Sequence, residues 1–306
     1  MGTMSLFSTL FGPRVVVRVL KAQDAAPLRE LLVEHAAANA FLLGWFERWG
    51  VGGGQARGFF EFVGLWYEDR LRQVALVVTG TLLAISTGDT PQLRGLVDFL
   101  HRRRAVPATI VGPDAPVRLV GQMLADAGAR LRFDQPQLVY EVREAPPERW
   151  RDAWGPLLRA AAPEDIPELI DATLRMHSEE TGLQTRPGDR DAFTRSTRQK
   201  VREGRAWLLR DPETGVLVFK ASVSLPSPWV AQLEGIWTHP LARRRGIARS
   251  AVERLLCDLL ERTPVVALQV NQDNEPGIRL YEQLGFVCAQ PWRTTYVDSD
   301  DHDVDD

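Results

Sequence analysis

The feature that most constrains the fold is a basic loop that runs into a helix, in the stretch THPLARRRGIARSA (residues 238–251). Three consecutive arginines, Arg243, Arg244 and Arg245, are followed by Gly246 and then by apolar residues at helical spacing. An apolar, strand-like segment precedes the loop. The first amides of a helix have no partner within it, and glycine lets an anion approach the backbone. This order therefore indicates an anion site.

Composition limits what the anion can be. The chain of 306 residues carries a formal net charge of −3, whereas nucleic-acid binding usually needs a basic excess. Three explanations of the arginines stay open: a small phosphorylated cofactor, a surface exposed to water, and nucleic acid. The composition favours the first.

The length predicts about two domains. The boundary is expected where Pro146 and Pro147 close an apparent strand and the apolar pattern restarts at Leu157. The predicted segments are a first domain (1–146), a second domain (156–297) and an acidic, disordered tail (298–306).

The second half alternates strands and helices, which predicts an α/β fold with a mixed sheet flanked by helices. The first half shows a weaker form of the same pattern, in which residues 107–131 align with residues 264–288. This similarity indicates an internal duplication. The predicted elements of the second half are strands at 155–161, 205–211, 216–225, 229–238, 265–270 and 286–297 and helices at 163–177, 188–203, 246–262 and 274–284.

A second motif follows the basic loop. Asn271 and Asn274 lead into LYEQLGF (residues 280–286), and Asn274 and Tyr281 are spaced to share one face of a helix. Together with the pattern R-x-x-G-x-A at Arg243, Gly246 and Ala248, this motif carries a resemblance.

Residues 156–297 resemble the GCN5-related N-acetyltransferase (GNAT) superfamily. The whole chain is similar to a bacterial two-part group in which a degenerate acetyltransferase-like N-terminal domain precedes an active-looking C-terminal one. The resemblance implies tandem acyl-coenzyme A N-acyltransferase-like domains. The first half has no glycine-containing anion loop, and Val120 or Gly121 stands near the position of Tyr281, so we expect it not to bind coenzyme A.

The resemblance implies that acetyl-coenzyme A is the acyl donor. The backbone of residues 236–238 would pair with the pantetheine arm, amides 244–249 would hold the pyrophosphate, and Tyr281 would protonate the departing thiolate. The alternative for Tyr281 is a core residue with its hydroxyl at the surface. The cofactor-binding residues are predicted to be Ile236, Trp237, Thr238, Arg243, Arg244, Arg245, Gly246, Ile247, Ala248, Arg249, Asn271 and Asn274.

A general base is harder to assign. Family members often place a glutamate on one of two strands, but both positions hold glutamine here, Gln232 and Gln269. Glu234 lies two residues after Gln232, hence on the same sheet face, and is the candidate catalytic base or amine-orienting group. The alternative is a Glu234 that is paired with a lysine or arginine, or turned to water.

The acceptor site is predicted at MHSEETG (residues 176–182), in a loop between the first two helices of the second domain. The acceptor-binding candidates are His177, Glu179, Glu180 and Gln232; the alternative is a solvated loop. No second histidine or cysteine follows at ligand spacing, so we expect no metal.

The sequence thus predicts an N-acetyltransferase that transfers an acetyl or short acyl group directly to an unidentified amine. The runner-up is an acyl-coenzyme A-binding regulatory protein without catalysis. We expect no nucleic-acid or membrane partner and a cytoplasmic location, since there is no apolar run of membrane-spanning length and Cys257 and Cys288 form no disulfide framework. Both cysteines are predicted to be buried.

Overall fold

The two halves of the chain carry the same series of elements. The computed structural model describes residues 15–53, 58–88, 93–147, 154–182 and 187–298. The first half comprises β1 (Val15–Val19), α1 (Ala25–Glu34), α2 (Ala40–Trp49), β2 (Glu61–Tyr67), β3 (Arg70–Val78), β4 (Leu82–Ile85), α3 (Leu93–Arg102), β5 (Thr109–Pro113), α4 (Asp114–Asp126) and β6 (Arg130–Val142). The second half comprises β7 (Arg159–Ala160), α5 (Ile166–Thr181), α6 (Pro187–Arg202), β8 (Ala206–Arg210), β9 (Leu217–Val223), β10 (Ala231–Thr238), α7 (Ile247–Leu260), β11 (Val266–Asn271), α8 (Glu275–Gln283) and β12 (Val287–Asp298). This shared order supports the predicted duplication.

One ion pair recurs in both halves at the start of the first long helix. Arg18 donates to both carboxylate oxygens of Asp24 at 2.7 and 2.8 Å, and Arg159 does the same to Asp165 at the same two distances. In each case the aspartate also accepts the amide of the residue three positions earlier. The bridge ties the edge strand to the helix start and satisfies a free amide there.

The chain forms two compact units that differ from the predicted domains. Unit 1 comprises residues 1–139, 270–274 and 288–306, and unit 2 comprises residues 140–269 and 275–287. In unit 1 the strand order is β1-β2-β3-β4-β5-β12-β6; in unit 2 it is β11-β10-β9-β8-β7. The β4–β5 and β10–β11 pairs are parallel, whereas β2–β3 and β9–β10 are antiparallel. The mixed α/β fold class is therefore confirmed.

The last strand of the chain lies in unit 1, although it was expected to complete the second domain. Strand β12 pairs antiparallel with β5. Val297 joins the apolar core of unit 1, and the buried Arg293 is ion-paired with Asp114 and Asp134. The predicted tail falls outside the described residues, except for Asp298.

Two segments near the start of the second half differ from prediction. The expected strand at 155–161 is a 3₁₀ turn at Gly155–Leu157, and only Arg159–Ala160 is extended. The helix expected to end at residue 177 continues to Thr181, because Gly182 supplies the left-handed terminus (φ 66°) and its amide bonds to the Ser178 carbonyl.

The longest described helices, α5 and α6, have 16 residues each, and a bilayer needs about 20. None of the described helices is long and apolar enough to cross a membrane. The prediction of two buried cysteines was wrong for Cys288, which is exposed, whereas Cys257 is partly buried.

The recurring ion pair gives a matched stability test. Asp165 is fully buried and binds both Arg159 and Arg210, whereas Asp24 binds Arg18 alone. The Arg159 guanidinium holds the pKa of Asp165 well below its usual 3.8. We expect Asp165→Asn to lower the free energy of unfolding by about 3–4 kcal/mol and Asp24→Asn by about 2 kcal/mol, measured by urea unfolding.

The loss should shrink as the pH falls below about 4, because the unfolded wild type then takes up a proton at Asp165 while the folded state, with its lowered pKa, stays ionised. The wild type thereby loses stability that the asparagine variant does not have. Equal losses for the two variants at every pH would contradict this account.

Candidate functional site

The site begins where two parallel strands stop pairing. Strands β10 and β11 are joined through three residue pairs only, ending at Leu233 and Leu268, although β10 continues to Thr238. The edge of β10 that faces β11 is therefore open beyond Leu233. The predicted backbone segment 236–238 lies on this open part.

A bulge explains why β10 turns away. Glu234 is opposite Ser222, but the next pair is Trp237 with Lys220, so β10 has one extra residue there. Gly235 takes a φ of 61°, which a side chain disfavours. Its carbonyl accepts a hydrogen bond from Lys220 Nζ at 3.0 Å. Such a bulge bends its strand and ends regular pairing.

The basic loop follows β10 and presents backbone amides. Arg244 (φ 62°) and Gly246 (φ 77°) are both left-handed, and Gly246 is the cap residue before α7. Ser250 donates the first amide bond back to the Gly246 carbonyl. In the described residues, none of the amides of 244–249 has a backbone acceptor. Successive residues that alternate between right-handed and left-handed backbone conformations in this way form an anion-binding concavity.

The arginine side chains are largely engaged by protein groups. Arg243 donates to the Thr238 carbonyl at 3.1 Å and to Glu179 at 2.6 Å. Arg245 donates to Asp211 at 3.1 Å. The Arg245 guanidinium also stacks on the Trp154 ring, 5.0 Å from its centre. Arg249 donates to Glu253 at 3.3 Å. Within the described ranges Arg244 has no such partner, so the open backbone is the main resource for an anion.

Tyr281 lies on α8 and is 7% exposed. Its ring packs against Phe286 at 5.8 Å. Burial raises the pKa of the Tyr281 hydroxyl, and the Glu180 carboxylate raises it further. The hydroxyl therefore stays protonated at neutral pH and is suited to give a proton rather than take one.

Glu234 has a cationic partner. Its Oε1 lies 2.6 Å from Lys200 Nζ, in an ion pair without hydrogen-bond alignment. This is the alternative that the sequence left open for Glu234. An ion-paired carboxylate is a weaker base than a free one, so the pairing favours an orienting role.

Sequence reasoning missed Lys220. It is 6% exposed, and besides the Gly235 carbonyl it touches Met176 Sδ at 3.8 Å. Burial lowers the pKa of Lys220 to about 8; Lys200 lowers it too, whereas Glu180 and Glu234 oppose the change. The available signal was a lysine inside the otherwise apolar strand VLVFKASV (216–223).

Three of the four predicted acceptor residues, His177, Glu179 and Glu180, lie on the last turns of α5, not in a loop. Glu179 binds Arg243, and the His177 ring packs against Phe193 at 5.3 Å. Gln232 is buried on β10, and its Oε1 has no hydrogen-bond partner among the described residues.

Among the acceptor candidates, Glu180 is the one that changes the pKa values of two other residues of the site. It interacts electrostatically with Lys220 and Tyr281. Surrounding protein raises its pKa, although the residue as a whole is exposed. Water that reaches the exposed carboxylate limits this rise in its pKa.

Asn271 and Asn274 belong to unit 1. The Asn271 side-chain oxygen accepts from Gln137 at 3.1 Å, and its carbonyl accepts the Asn274 amide at 3.0 Å. Their roles toward a cofactor stay predictions. In the described residues no three His, Cys, Asp or Glu side chains gather as metal ligands would.

Part of the chain is similar in sequence to a known family. Residues 172–286 match the sequence profile of the acetyltransferase (GNAT) family. A search of the curated proteins found no match.

Solved structures share the fold at low identity. A GCN5-related N-acetyltransferase from Sphaerobacter thermophilus aligns with a TM-score of 0.57 and 17% identity, covering 92% of this chain and 94% of that one. A tandem GNAT protein from the clavulanic acid biosynthesis pathway gives 0.53 and 14%, covering 94% and 100%. A GNAT-family acetyltransferase from Colwellia psychrerythraea gives 0.51 and 11%, covering 93% and 100%.

The buried Lys220 gives a stability prediction. Because its pKa falls from the usual 10.5 to about 8, the ammonium destabilises the fold at neutral pH, by roughly 3 kcal/mol at most. Lys220→Met should therefore raise the free energy of unfolding at pH 7. Between pH 8 and 10.5 the folded wild type binds fewer protons than the unfolded chain, so wild-type stability should rise and the difference should narrow.

Thermal unfolding of both proteins from pH 7 to 10.5 measures this convergence. A difference in stability between the two proteins that stays constant over this pH range would contradict the prediction, as would a Lys220→Met variant that is less stable than the wild type at pH 7.

Proposed function

Since residues 172–286 match the sequence profile of the acetyltransferase (GNAT) family, we propose that the protein is an acyl-coenzyme A-dependent N-acetyltransferase. It transfers an acetyl or short acyl group to an amine by direct transfer within a ternary complex. The observation that carries this proposal is the run of six amides at 244–249, which have no backbone acceptor among the described residues and follow shortly after the open edge of β10.

In this proposal the two features hold two parts of the acyl donor. The amides of 244–249 donate to the pyrophosphate, and the dipole of α7 adds to their attraction for it. The open edge of β10 at residues 236–238 pairs with the amides of the pantetheine arm, as an added strand would. Arg244, uncommitted among the described residues, adds charge from the outside.

The reaction joins the acceptor nitrogen to the thioester carbonyl carbon and breaks the carbon–sulfur bond. The thiolate that leaves takes a proton, and the protonated, buried Tyr281 supplies it. The amine must first lose its own proton, which for a lysine-like amine costs roughly 4.6 kcal/mol at pH 7. A nearby carboxylate lowers this cost by accepting that proton.

Glu180 fits the role of proton acceptor better than Glu234. Glu234 is ion-paired with Lys200, whereas the Glu180 carboxylate has a raised pKa and no ion pair among the described residues. We propose that Glu180 takes the proton and that Glu234 orients the amine.

A regulatory acyl-coenzyme A-binding protein is the second candidate. Gln232 and Gln269 at the two usual base positions, together with the paired Glu234, favour it. Release of free thiol from acetyl-coenzyme A with a panel of amines separates the candidates: binding without any acylation would support the regulator.

We also propose that the N-terminal domain (1–146) does not bind coenzyme A. Tyr281 is the seventh residue of α8, and the seventh residue of α4 is Val120, which has no hydroxyl and is fully buried. Residues 89–92 of the loop GDTPQLRG (88–95), which was compared with the basic loop, lie outside the described residues.

The basic loop can be tested with three substitutions. Arg244→Ala should weaken acetyl-coenzyme A binding only about 3-fold, because the backbone donors remain. Gly246→Glu should abolish it, because a carboxylate then lies where the phosphates bind. Gly246→Ala is the matched control; a Cβ there meets no atom within 4 Å, so only strain of about 1 kcal/mol is added.

Titration calorimetry measures the three affinities. Equal, small losses for the alanine and glutamate variants at position 246 would mean that this loop does not hold the cofactor.

Tyr281→Phe removes the proton donor but keeps the buried ring. We expect kcat to fall at least about 100-fold while the affinity for acetyl-coenzyme A changes less than about 3-fold. Steady-state kinetics with calorimetry tests this; an unchanged kcat would exclude Tyr281 as the donor.

A further inference from the structure

A cavity of about 230 Å³ lies inside unit 2, between helices α5 and α6 and strands β9 and β10. Its wall includes Gly235, the bulge residue, so the cavity touches the point where β10 turns away. Met176 and Phe193 provide apolar surface on the helix side, and Thr197 and Ser222 provide hydroxyls. The volume suits a small molecule rather than a protein side chain with its backbone.

The charged groups of this cavity are unevenly paired. Lys200 and Glu234 form an ion pair at 2.6 Å. Lys220, almost fully buried, has no carboxylate oxygen within 4 Å among the described residues, and only a carbonyl and a thioether contact its Nζ. Glu180 and Glu234 act on it from farther away. A buried ammonium without a carboxylate partner is costly, and an anionic ligand relieves that cost.

We propose that the cavity is the acceptor site and that Lys220 binds the carboxylate of a free α-amino acid with an uncharged side chain. This inference rests on the proposed function. The amino acid's carboxylate pairs with the Lys220 ammonium, its amine lies toward Glu180 and Glu234, and its side chain fills the apolar space by Met176 and Phe193.

The geometry favours an α-amino acid over other amines. The carboxylate and the amine of an α-amino acid are only about two bonds apart. Lys220 Nζ is 3.0 Å from the Gly235 carbonyl. A carboxylate bound to Lys220 therefore brings the amine next to the bulge, beside the open edge of β10 that is proposed to bind the pantetheine arm.

The charge count favours a carboxylate over a phosphate. Lys220 is one cation, which matches a single negative charge, whereas a phosphate dianion is usually met by arginines or by several donors. The described lining of the cavity contains no arginine. The described lining holds Lys200, Lys220 and Glu234, and charges of both signs suit a ligand that carries both charges.

The test compares amino acids with their amides, which keep the amine and the side chain but lack the carboxylate. The probes are L-leucine, L-methionine and L-phenylalanine and the corresponding amides, acylated by the full-length protein and by Lys220→Met. The ratio of kcat/KM for acid over amide is compared between the two proteins, because the different amine basicities then cancel. We expect the ratio to fall about 30-fold in Lys220→Met, the usual loss for a charge-assisted hydrogen bond.

Three controls keep the result interpretable. Lys220→Gln removes the charge but keeps a donor for the Gly235 carbonyl, and it should show the same fall in the ratio. Lys21→Met, at an exposed lysine of unit 1, should leave the ratio unchanged. Acetyl-coenzyme A affinity should stay within about 3-fold in all variants, which separates loss of the acceptor site from loss of the fold.

The ratio staying the same in Lys220→Met, or amides alone being acylated, would overturn the inference and leave the proposed transferase intact. If acetyl-coenzyme A binds but none of these amines is acylated, calorimetry with the coenzyme A complex decides instead. Weaker binding of the acids to Lys220→Met would then support the site, and equal or absent binding would overturn it. No binding of acetyl-coenzyme A would mean that the proposed function itself fails.

Discussion

The early end of the parallel ladder between β10 and β11 is the constraint on which the candidate site depends. After Leu233 the bulge at Gly235 bends β10 away, and a strand edge inside unit 2 is left open. Sheets normally pair or cover such an edge. Here the open edge is followed by a loop whose amides have no backbone acceptor in the described part of the chain, and the two features together fit an extended, phosphorylated ligand.

Most of the charged side chains near the basic loop bind to other protein groups, which leaves the backbone amides of the loop available to a ligand. Arg243 and Arg245 are held by Glu179 and Asp211, so they fix the loop more than they add free charge to it. On the helix side, Lys220 reaches the bulge from β9 and holds its carbonyl. The same lysine thus shapes the strand and presents a buried cation to the neighbouring cavity. One residue connects the backbone geometry with the proposed choice of acceptor.

The local parts of this arrangement were predictable from the sequence, and the long-range parts were not. The helix start after Gly246 and the placement of Tyr281 within α8 depend on neighbours in the chain, and the sequence pattern indicated both. Strand β12 joins unit 1 through Arg293 and other distant contacts, which no local pattern contains. The burial of Lys220 likewise depends on the packing of α5 and α6 over β9; a lysine inside an apolar strand is visible in the sequence, but the helices that bury it are not.

Hydrogen exchange of the basic loop with and without coenzyme A tests the central claim most directly, because it reports on the backbone amides themselves. We expect amides 244–249 to exchange rapidly in the free protein and to become at least about 10-fold slower when coenzyme A is saturating. Saturating coenzyme A that protects other segments but leaves these amides unchanged would contradict the account.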